Sequence, residues 1–393
     1  MSQTGQPTDA QIRAINLANR NAIVLTSLRR QQEIFSQSFD PASGVVLNIQ
    51  PRYAGLILGF FVTVEATMTL GTNNGLLTAW GPANLIQQVK FDDLSNNTRI
   101  QTTGWHLNAV NSAKANSPYL AVRSNSSYPV SYGNTFSNRI AYAPSTLTTA
   151  GDTVRMTFWV PLAYSEMDLR GAMWAQVVNA TANLQLTMAT SAQAFVAATA
   201  DPTMAVYQYD GTGATGAISN YKVTVQQVYY DQLPVDNKGN YILPVVDLST
   251  LYQLQNTTMS GLVANNEFPI PYANFRSFLS TTVIYDNQTG GAYPTAGSDI
   301  GYWTLQTANF TNIFKYNPYF PGIYSRLAIG DDFPKGAYYF DTRSKPINTI
   351  QFGNQQLIIS PSTVNTNANL KIGWEMFAVT NTLVGAASLA GGG

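Results

Sequence analysis

The hydrophobic positions of the chain recur with two different periods. Near the N-terminus they recur every three or four residues, as they do on one face of an α-helix. These positions are Ile12, Ile15, Ala18, Ala22, Leu25 and Leu28. Thr8, followed three residues later by Gln11, forms a capping box that begins such a helix. The pattern therefore predicts an amphipathic helix within an N-terminal arm of residues 1–37.

From Phe39 onward hydrophobic residues alternate with polar ones, which is the period of a β-strand with one buried face. The clearest alternations are Phe60–Leu70, Val154–Val160, Leu184–Met188, Tyr221–Val225 and Leu370–Met376. Clusters of turn residues separate such runs. Because many open strand edges would aggregate, we expect the strands to pack as sandwiches or to close on themselves. The pattern predicts an all-β fold that follows the helical arm.

A weak internal similarity indicates that the strands form two comparable units. Ala83–Leu85 precedes Val89–Asp92, and in the same order Ala273–Phe275 precedes Val283–Asp286. The separation of the two blocks is about the length of one domain. We therefore expect two β-units in tandem.

The same patterns suggest domain boundaries. Leu233–Tyr241 contains Pro, Lys and Gly and is typical of a connector between domains. We expect a helical arm at 1–37, a first β-unit at 38–237 and a second at 238–384. The small apolar residues of 385–393 cannot build a core, so this segment is expected to be a flexible tail.

Charged residues are scarce along the whole chain. The 393 residues include 21 Lys and Arg and 21 Asp and Glu, so that 11% are charged and the formal net charge is zero. An average globular protein is about 25% charged. Because surface charge normally keeps proteins soluble and separate, we expect other protein molecules to cover much of this surface. A neutral chain also lacks the basic face of a nucleic-acid-binding protein, so no direct contact with nucleic acid is expected.

Side chains for catalysis are equally scarce. The chain has no Cys, which excludes a thiol nucleophile, a disulfide framework and a Cys-zinc site. Its single histidine, His106, could act in a triad, but no Gly-x-Ser-x-Gly elbow accompanies it. The apolar neighbours Trp105 and Leu107 instead predict a buried, structural imidazole.

Two further patterns that resemble active-site motifs have simpler interpretations. Gly211, Gly213 and Gly216 have the spacing of a dinucleotide-binding loop, but the next segment predicts a strand instead of the helix such a site needs. The adjacent carboxylates of Asp92–Asp93 and Asp331–Asp332 would point to opposite faces of a strand, and are interpreted as solvated turn residues. We therefore expect no enzyme activity, no cofactor and no metal.

Several blocks of residues resemble one known family. The blocks are Gly104–Leu107 with Val110–Lys114, Trp159–Glu166, Tyr230–Val235, Asp247–Tyr252 and Asp332–Gly336. They are ordered along the chain, and the similarity covers most of Phe39–Val384. In these blocks the chain resembles the major capsid protein of tectiviruses, which are tailless icosahedral phages with an internal membrane.

The resemblance implies a double jelly roll, which consists of two tandem eight-stranded β-sandwiches. It implies that three subunits form a homotrimer with a nearly hexagonal outline, and that such trimers tile an icosahedral shell around a membrane and double-stranded DNA. The implied partners are neighbouring trimers, the internal membrane and minor capsid proteins. The resemblance also implies the virion as the location. We see no secretory signal and no helical membrane span, so synthesis in the cytoplasm, here that of a bacterial host, is expected.

The basic residues of the arm have two interpretations. They are Arg13, Arg20, Arg29 and Arg30, and they outnumber the acidic residues nearby. Such a helix either lies on an anionic membrane surface or docks on its own protein, and the residues alone favour docking. The resemblance implies a helix beneath the shell that faces the membrane. The four arginines are therefore the candidate membrane-facing residues.

Two other functional classes are considered. A β-rich protein with exposed Tyr, Trp and Asn could bind or cleave polysaccharide, which requires paired carboxylates in a cleft and usually an export signal. An outer-membrane protein built of strands would show alternating segments of about ten residues with aromatic girdles. Neither class explains the ordered blocks.

Overall fold

The computed structural model describes most of the chain. The described residues are 7–71, 74–115, 141–144, 146–175, 181–197, 203–209, 216–260, 267–286, 300–307, 312–329, 333–334, 336–361 and 369–379. The predicted tail at 385–393, two glycines of the loop motif, Gly211 and Gly213, and the pair Asp331–Asp332 lie outside these residues.

Helices are a minor part of the described structure. They are α1 (Asp9–Thr26), α2 (Gly104–Ala115), α3 (Ser191–Ala194), α4 (Val245–Leu248), α5 (Phe320–Ile329) and α6 (Thr349–Phe352), with short 3-10 turns at Pro41–Ser43 and Gly81–Leu85. Within the described ranges, no helix combines the length and apolar character needed to span a membrane.

Strands dominate both halves of the chain. The first half contributes β1 (Leu28–Phe39), β2 (Val46–Ile49), β3 (Leu56–Leu70), β4 (Gly75–Leu77), β5 (Ile86–Asp92), β6 (Thr98–Thr102), β7 (Ala141–Tyr142), β8 (Thr146–Leu147), β9 (Asp152–Pro161), β10 (Met173–Trp174), β11 (Asn183–Met188), β12 (Phe195–Val196), β13 (Tyr207–Tyr209) and β14 (Gly216–Asp231). The second half contributes β15 (Thr250–Ser260), β16 (Phe268–Tyr272), β17 (Arg276–Asp286), β18 (Ile300–Thr307), β19 (Asn312–Tyr316), β20 (Ala337–Asp341), β21 (Ile347–Asn348), β22 (Gln355–Pro361) and β23 (Asn369–Val379).

The described strands pair into four sheets. One has the order β1-β14-β3-β9-β7 with β10 added on β3, and a small sheet has the order β12-β13-β4-β8. Both are built from the first half. A third sheet, β16-β22-β18-β19, is built from the second half. The largest, β2-β11-β5-β6-β15-β23-β17-β20 with β21 added on β17, contains strands of both halves.

Two hydrophobic cores lie between these sheets. Most buried side chains of the first core belong to Ile49–Tyr229, but Tyr252 and Phe377 of the second half also contribute to it. The second core is formed by side chains between Phe268 and Met376. The two halves are therefore separate sandwiches in their centres and share side chains where they meet.

The large sheet joins the two halves at one parallel strand pair. β6 and β15 pair with Ile100 opposite Leu254 and Gln101 opposite Gln255. The two similar blocks found in the sequence lead into β5 and β17, which belong to this same sheet. The two predicted units are thus joined at their centre by backbone hydrogen bonds within one continuous sheet.

The alternating pattern predicts the buried faces well in the first half. In β3 the hydrophobic residues Phe60, Val62 and Val64 are buried, while Phe61 and Thr63 are only partly buried. The predicted strand after the glycine motif is confirmed as β14. In β23, however, the polar residues Lys371 and Glu375, on the opposite side of the strand from Ile372 and Met376, are buried as well. The expectation of an outward polar face is wrong there, because residues of α2 lie against this side of the strand at Gly373 and Glu375.

The helical prediction for the arm is correct only up to Thr26. The capping box of Thr8 and Gln11 is present, and α1 follows it directly. Leu28, predicted to be in the helix, instead begins β1, which pairs with β14 from Leu28 opposite Asp231 to Phe39 opposite Tyr221. The predicted helix end at Leu28 is wrong, because pairing with a neighbouring strand outweighs a weak local helical pattern.

The adjacent carboxylates in the first half have different surroundings. Asp92 accepts a hydrogen bond from Lys90 at 2.7 Å. Asp93 is buried and accepts from Nε of the buried Arg99 at 2.7 Å. The prediction of a solvated turn residue is therefore wrong for Asp93, because a buried guanidinium requires a buried anion.

Candidate functional site: the junction of the two halves and the docked arm

Helix α2 lies between the two halves of the protein. Leu107 and Val110 point into the first core. On another side of the helix, Trp105 and Ala109 pack with Ile284 of β17. The helix is buried along almost its whole length and connects the two sandwiches through side chains as well as through the shared sheet.

Two glycines allow α2 to approach its neighbours closely. A Cβ on Gly104 would lie 1.8 Å from the carbonyl oxygen of Ala83, which belongs to the turn before β5. A Cβ on Gly373 of β23 would lie 2.2 to 2.5 Å from ring atoms of His106. Any larger residue at either position would push the helix away from the sheet.

A buried ion pair connects α2 to β23. Nζ of Lys114 lies 3.2 Å from Oε1 of Glu375, whose side chain is 0% exposed. The hydroxyl of Tyr252 donates to the same carboxylate oxygen at 2.7 Å, and Oγ of Ser280 donates to the other at 2.8 Å. We call Lys114, Tyr252, Ser280 and Glu375 the junction cluster. Its members come from α2, β15, β17 and β23, so it spans both halves.

The ammonium group of the junction cluster is also well coordinated. Nζ of Lys114 donates to the carbonyl oxygen of Tyr164 and to the hydroxyl of Tyr252, each at 3.0 Å. It lies 4.5 Å and 4.3 Å from the ring centroids of these two tyrosines. Such cation–π contacts add to the electrostatic stabilisation of a desolvated cation.

Burial and pairing have opposing effects on the two charges. Burial by itself would raise the pKa of Glu375, but Lys114, Tyr252, Arg343 and Ser280 hold this pKa below its ordinary value. Burial lowers the pKa of Lys114, and the charge of Glu375 opposes that shift. The carboxylate therefore stays ionised inside the protein because its partners replace the lost water.

Arg343 holds the C-terminal end of α2. Its Nη2 donates to the carbonyl oxygen of Ala113 at 3.3 Å, and its Nε donates to Oδ1 of Asp341, at the end of β20, at 2.9 Å. A cation at this end of a helix also interacts favourably with the helix dipole. The second half thus contacts the helix through both β20 and the junction cluster.

His106 is the buried, structural imidazole that its neighbours predicted. It is fully buried, and Nδ1 lies 2.6 Å from Oγ1 of Thr102. Burial lowers the pKa of His106 from 6.5 to about 4, and the charge of Glu375 only partly opposes this shift. The ring is therefore neutral at neutral pH and lies against Gly373 as a packing element.

The arm docks on the body through polar side chains. Nδ2 of Asn16 donates to the buried Asp247 at 2.9 Å, and Nη2 and Nε of Arg20 donate to the same carboxylate at 2.7 Å and 2.5 Å. The amide oxygen of Asn16 accepts from the backbone of Val246 at 2.9 Å. Ile23 adds one fully buried apolar contact. The docking face of α1 is thus mainly polar.

The predicted apolar stripe of α1 mostly points away from the body. Ile15 is 57% exposed and Leu25 is 82% exposed. Asp247 explains this orientation, since a buried carboxylate requires donors and a cation, which Asn16 and Arg20 supply.

The structure separates the four candidate arginines. Arg20 is paired with Asp247, Arg29 with Glu166 at 2.6 Å, and Arg30 with Asp231 at 2.8 Å. Arg29 and Arg30 lie in β1, and their pairs are substantially exposed, so each contributes less than about 1 kcal/mol.

Arg13, the fourth arginine, is exposed on α1, and it forms no ion pair with any residue that the structure describes.

The blocks that carry the family resemblance meet at the junction cluster and at the contacts that dock the arm. Lys114, Tyr164 and Tyr252 belong to three different blocks and contact one another at the junction. Glu166 and Asp247, from two of the same blocks, bind the arm. Sequence reasoning found these blocks but missed two residues of the junction cluster. Glu375 lies between Trp374 and Met376 as a solvent-facing strand residue would, and Ser280 begins a polar run, Ser280–Thr282, that carries no signal of burial.

Comparison with solved structures defines the class of the fold. The crystal structure of the STIV MCP has a TM-score of 0.61 at 11% identity, covering 90% of this chain and 97% of that chain. The VP54 protein of PBCV-1 has a TM-score of 0.52 at 12% identity, covering 89% of this chain and 94% of that chain. The fold is that of the double jelly-roll capsid proteins, which confirms the expected fold class.

Sequence comparison defines the family. The models of the P3 major capsid protein N-terminal and C-terminal domains match residues 8–233 and 249–391. Major capsid protein P3 of Enterobacteria phage PRD1 is 41% identical over 403 aligned residues, which cover 99% of this chain and 100% of that protein. The chain therefore belongs to the P3 major capsid protein family. The resemblance predicted from the sequence blocks is confirmed.

The buried ion pair leads to a first prediction. Lys114→Met should lower the free energy of unfolding by about 3 kcal/mol, because it leaves the fully buried carboxylate of Glu375 without its partner. Glu375→Gln should lower it by less, because the side chain of Lys114 keeps 17% exposure to solvent. The double variant should lose less than the sum of the two, with a coupling of more than about 1 kcal/mol. Urea denaturation of the four proteins measures this coupling.

A partly exposed pair serves as the matched control. Lys90 and Asp92 lie 2.7 Å apart with side chains 35% and 25% exposed. The double-mutant cycle of Lys90→Met and Asp92→Asn should give a coupling free energy below about 1 kcal/mol. Equal coupling in both cycles would contradict the special role of the junction cluster.

The buried imidazole leads to a second prediction. Because the folded-state pKa of His106 lies below the value of 6.5 for the free side chain, the unfolded chain binds a proton first as the pH falls. The contribution to stability is complete above pH 6.5 and should decrease by about 2 kcal/mol between pH 7 and pH 5. His106→Asn, which keeps an acceptor near Thr102, should lose less stability over this range. Parallel pH profiles of the two proteins would disprove this assignment.

Proposed function

We propose that the chain is the major capsid protein of a phage like PRD1, and that it assembles as homotrimers that tile an icosahedral shell around an internal membrane and a double-stranded DNA genome. The main support is the 41% identity to Major capsid protein P3 over nearly the whole of both chains. A structural role in a shell also agrees with the expectation that the protein is not an enzyme. The polysaccharide and outer-membrane alternatives do not account for this similarity.

The arrangement of the two halves supports a nearly hexagonal trimer. Each subunit holds two sandwiches in one orientation through the shared sheet and the junction cluster. Three such subunits present six similar units around one axis. The low charge content also suits a subunit with large contact surfaces, because interface centres are depleted of charged residues.

The proposed partners follow from this role. They are the sister subunits of the trimer, neighbouring trimers, minor capsid proteins and the internal membrane, without direct contact with nucleic acid. The proposed location is the virion, after synthesis in the cytoplasm of a bacterial host. Zero net charge supports the absence of a nucleic-acid contact.

We place the boundary between the jelly rolls at 237/238, as the sequence suggested. The two family models, which end at 233 and begin at 249, support a boundary in this region. Because Leu28–Phe39 belongs to a sheet of the first sandwich, we begin the first jelly roll at Leu28 instead of residue 38. The arm proper is then α1 with the residues before it.

The arm is proposed to face the membrane, with different roles for its own arginines and for the two arginines of the adjoining strand β1. Arg20, Arg29 and Arg30 are paired with acidic groups of the body, so they would orient the arm. Arg13 and the exposed Leu25 would meet the membrane. One basic residue near an anionic surface contributes only about 1 kcal/mol. Many arms on one shell would bind together through multivalency.

The mass of the protein in solution tests the proposed assembly. We expect analytical ultracentrifugation to show a species of three times the 42.7 kDa chain mass. The hydrophobic area covered between subunits should hold this trimer together at micromolar concentration. A persistent monomer at high concentration would refute the proposed function.

Truncation of the arm tests its orientation. Deletion of residues 1–26 should leave the trimer intact but reduce flotation with vesicles of anionic phospholipid, because it removes Arg13 and the apolar face of α1. Deletion of 1–37 is not equivalent, since it also removes most of β1 and should lower the melting temperature. Unchanged flotation after the shorter deletion would disprove a membrane-facing arm.

A further inference from the structure

Helix α5 is fixed to the body on one side only. Oγ of Ser325 donates to the carbonyl oxygen of Pro321 at 2.7 Å and accepts from the backbone of Tyr339 in β20 at 2.9 Å. Ala328 packs with Ala113 of α2 and with Tyr339. The inner side of α5 thus rests on the same helix that joins the two halves.

The outer side of α5 is apolar and exposed. Phe320, Ile323 and Leu327 are spaced three and four residues apart, so they share one face of the helix. Tyr319 lies just before the helix, and Ile313 lies on the neighbouring edge strand β19. We use the name α5 face for six residues that are between 36% and 71% exposed. They are Ile313, Tyr319, Phe320, Ile323, Leu327 and Phe352, the last of which lines the cavity described below.

A ladder of aromatic rings connects the helix to the edge strand. The ring centroids of Phe314 and Tyr316 lie 4.1 Å apart, and those of Tyr316 and Phe320 lie 4.8 Å apart. Phe320 and Tyr324 follow at 5.1 Å. The stacked rings hold the α5 face in a fixed shape, which reduces the entropy lost when a partner binds.

A cavity extends the α5 face into the second jelly roll. It has a volume of about 570 Å³, and its lining includes Ile313, Phe314, Tyr316 and Phe352. A concave apolar site beside a projecting apolar helix is the shape into which a large side chain of a protein partner fits.

The size of the α5 face distinguishes it from ordinary surface. With ~150–250 Å² for each large side chain, and with the exposures given above, the six residues expose on the order of 600 Å². The largest apolar patch of a typical monomer is ~300–600 Å². Each partner in a stable protein complex contributes ~800 Å². The α5 face could therefore supply most of one side of a stable interface.

We propose that the α5 face is a subunit interface, and that its occupant is a second copy of this chain. The proposal rests on the proposed function, which requires subunits to pack side by side. It assigns a specific surface to that packing and predicts which residues hold the oligomer together.

The charges around the α5 face indicate how the second copy binds. Lys315 lies two residues after Ile313 on β19, with its Nζ 4.0 Å from the ring centroid of Tyr302, and Lys345 lines the cavity beside the face. If two copies met through identical faces, these cations would approach one another. The contact is therefore made with a different, neutral or acidic, surface of the second copy. Such a head-to-tail contact can close into a ring of three.

A charge placed in the α5 face tests the proposal. The double variant Ile323→Asp, Leu327→Asp should raise the dissociation constant of the trimer by about 100-fold or more, measured by sedimentation equilibrium. Leu76→Asp is the matched control, because Leu76 is an exposed leucine, 48% accessible, on β4 of the first half. Circular dichroism checks that each variant is folded.

Thiol labelling gives a second readout that does not depend on disrupting the interface. Since the chain has no Cys, Leu327→Cys and Leu76→Cys each introduce a single thiol. In the trimer, maleimide should label Cys at 76 rapidly and Cys at 327 at least about tenfold more slowly. Dilution below the dissociation constant should equalise the two rates.

The possible outcomes separate this proposal from the proposed function. A wild-type monomer at every concentration would overturn both. A wild-type trimer in which the Asp pair has no effect and Cys at 327 is labelled rapidly would overturn only the assignment of the α5 face. Equal dissociation by Leu76→Asp would also overturn it. Binding of the wild-type protein to phosphatidylcholine vesicles that the Asp pair abolishes, without any change in trimer mass, would identify lipid as the occupant instead.

Discussion

The arrangement of the two halves depends on one buried carboxylate. Glu375 has no access to solvent, so its charge is tolerated only where Lys114, Tyr252 and Ser280 surround it. Lys114 belongs to the first half and the other residues to the second. Because a buried charge without its partner is strongly unfavourable, the two jelly rolls have one relative orientation in which this requirement is met. The shared sheet and α2 then fill the space between them.

The elements that present surfaces to partners are attached to the same part of the protein, where the two halves meet. α5 rests on α2 through Ala113 and Ala328, and Arg343 binds the C-terminal end of α2. The arm is bound by Asp247, three residues before β15. In the closed shell that we propose, each subunit must present its contact surfaces at fixed angles, because small errors add up around such a surface. Rigid coupling of these elements to α2 and the central sheet meets that demand.

In α1 and α5, apolar residues that would usually be buried are exposed, and in α1 polar residues occupy the buried positions. α1 docks through Asn16 and Arg20 and leaves Ile15 and Leu25 exposed. α5 likewise turns an apolar face outward. In a monomer such exposure would favour aggregation, whereas in an assembly it provides surfaces that are covered later. The scarcity of charge in the whole chain is consistent with such a division.

The sequence by itself determined the local structure and the family. The capping box predicted the start of α1, the two-residue alternation predicted strands such as β3 and β14, and the ordered blocks predicted the capsid family. These signals are local or follow directly from residue identity. The tertiary structure alone decided that Leu28 begins a strand, that Asp93 pairs with Arg99 and that Glu375 is buried beneath α2. Each depends on a partner distant in sequence or on a covering element, which no local period of hydrophobic and polar residues can encode.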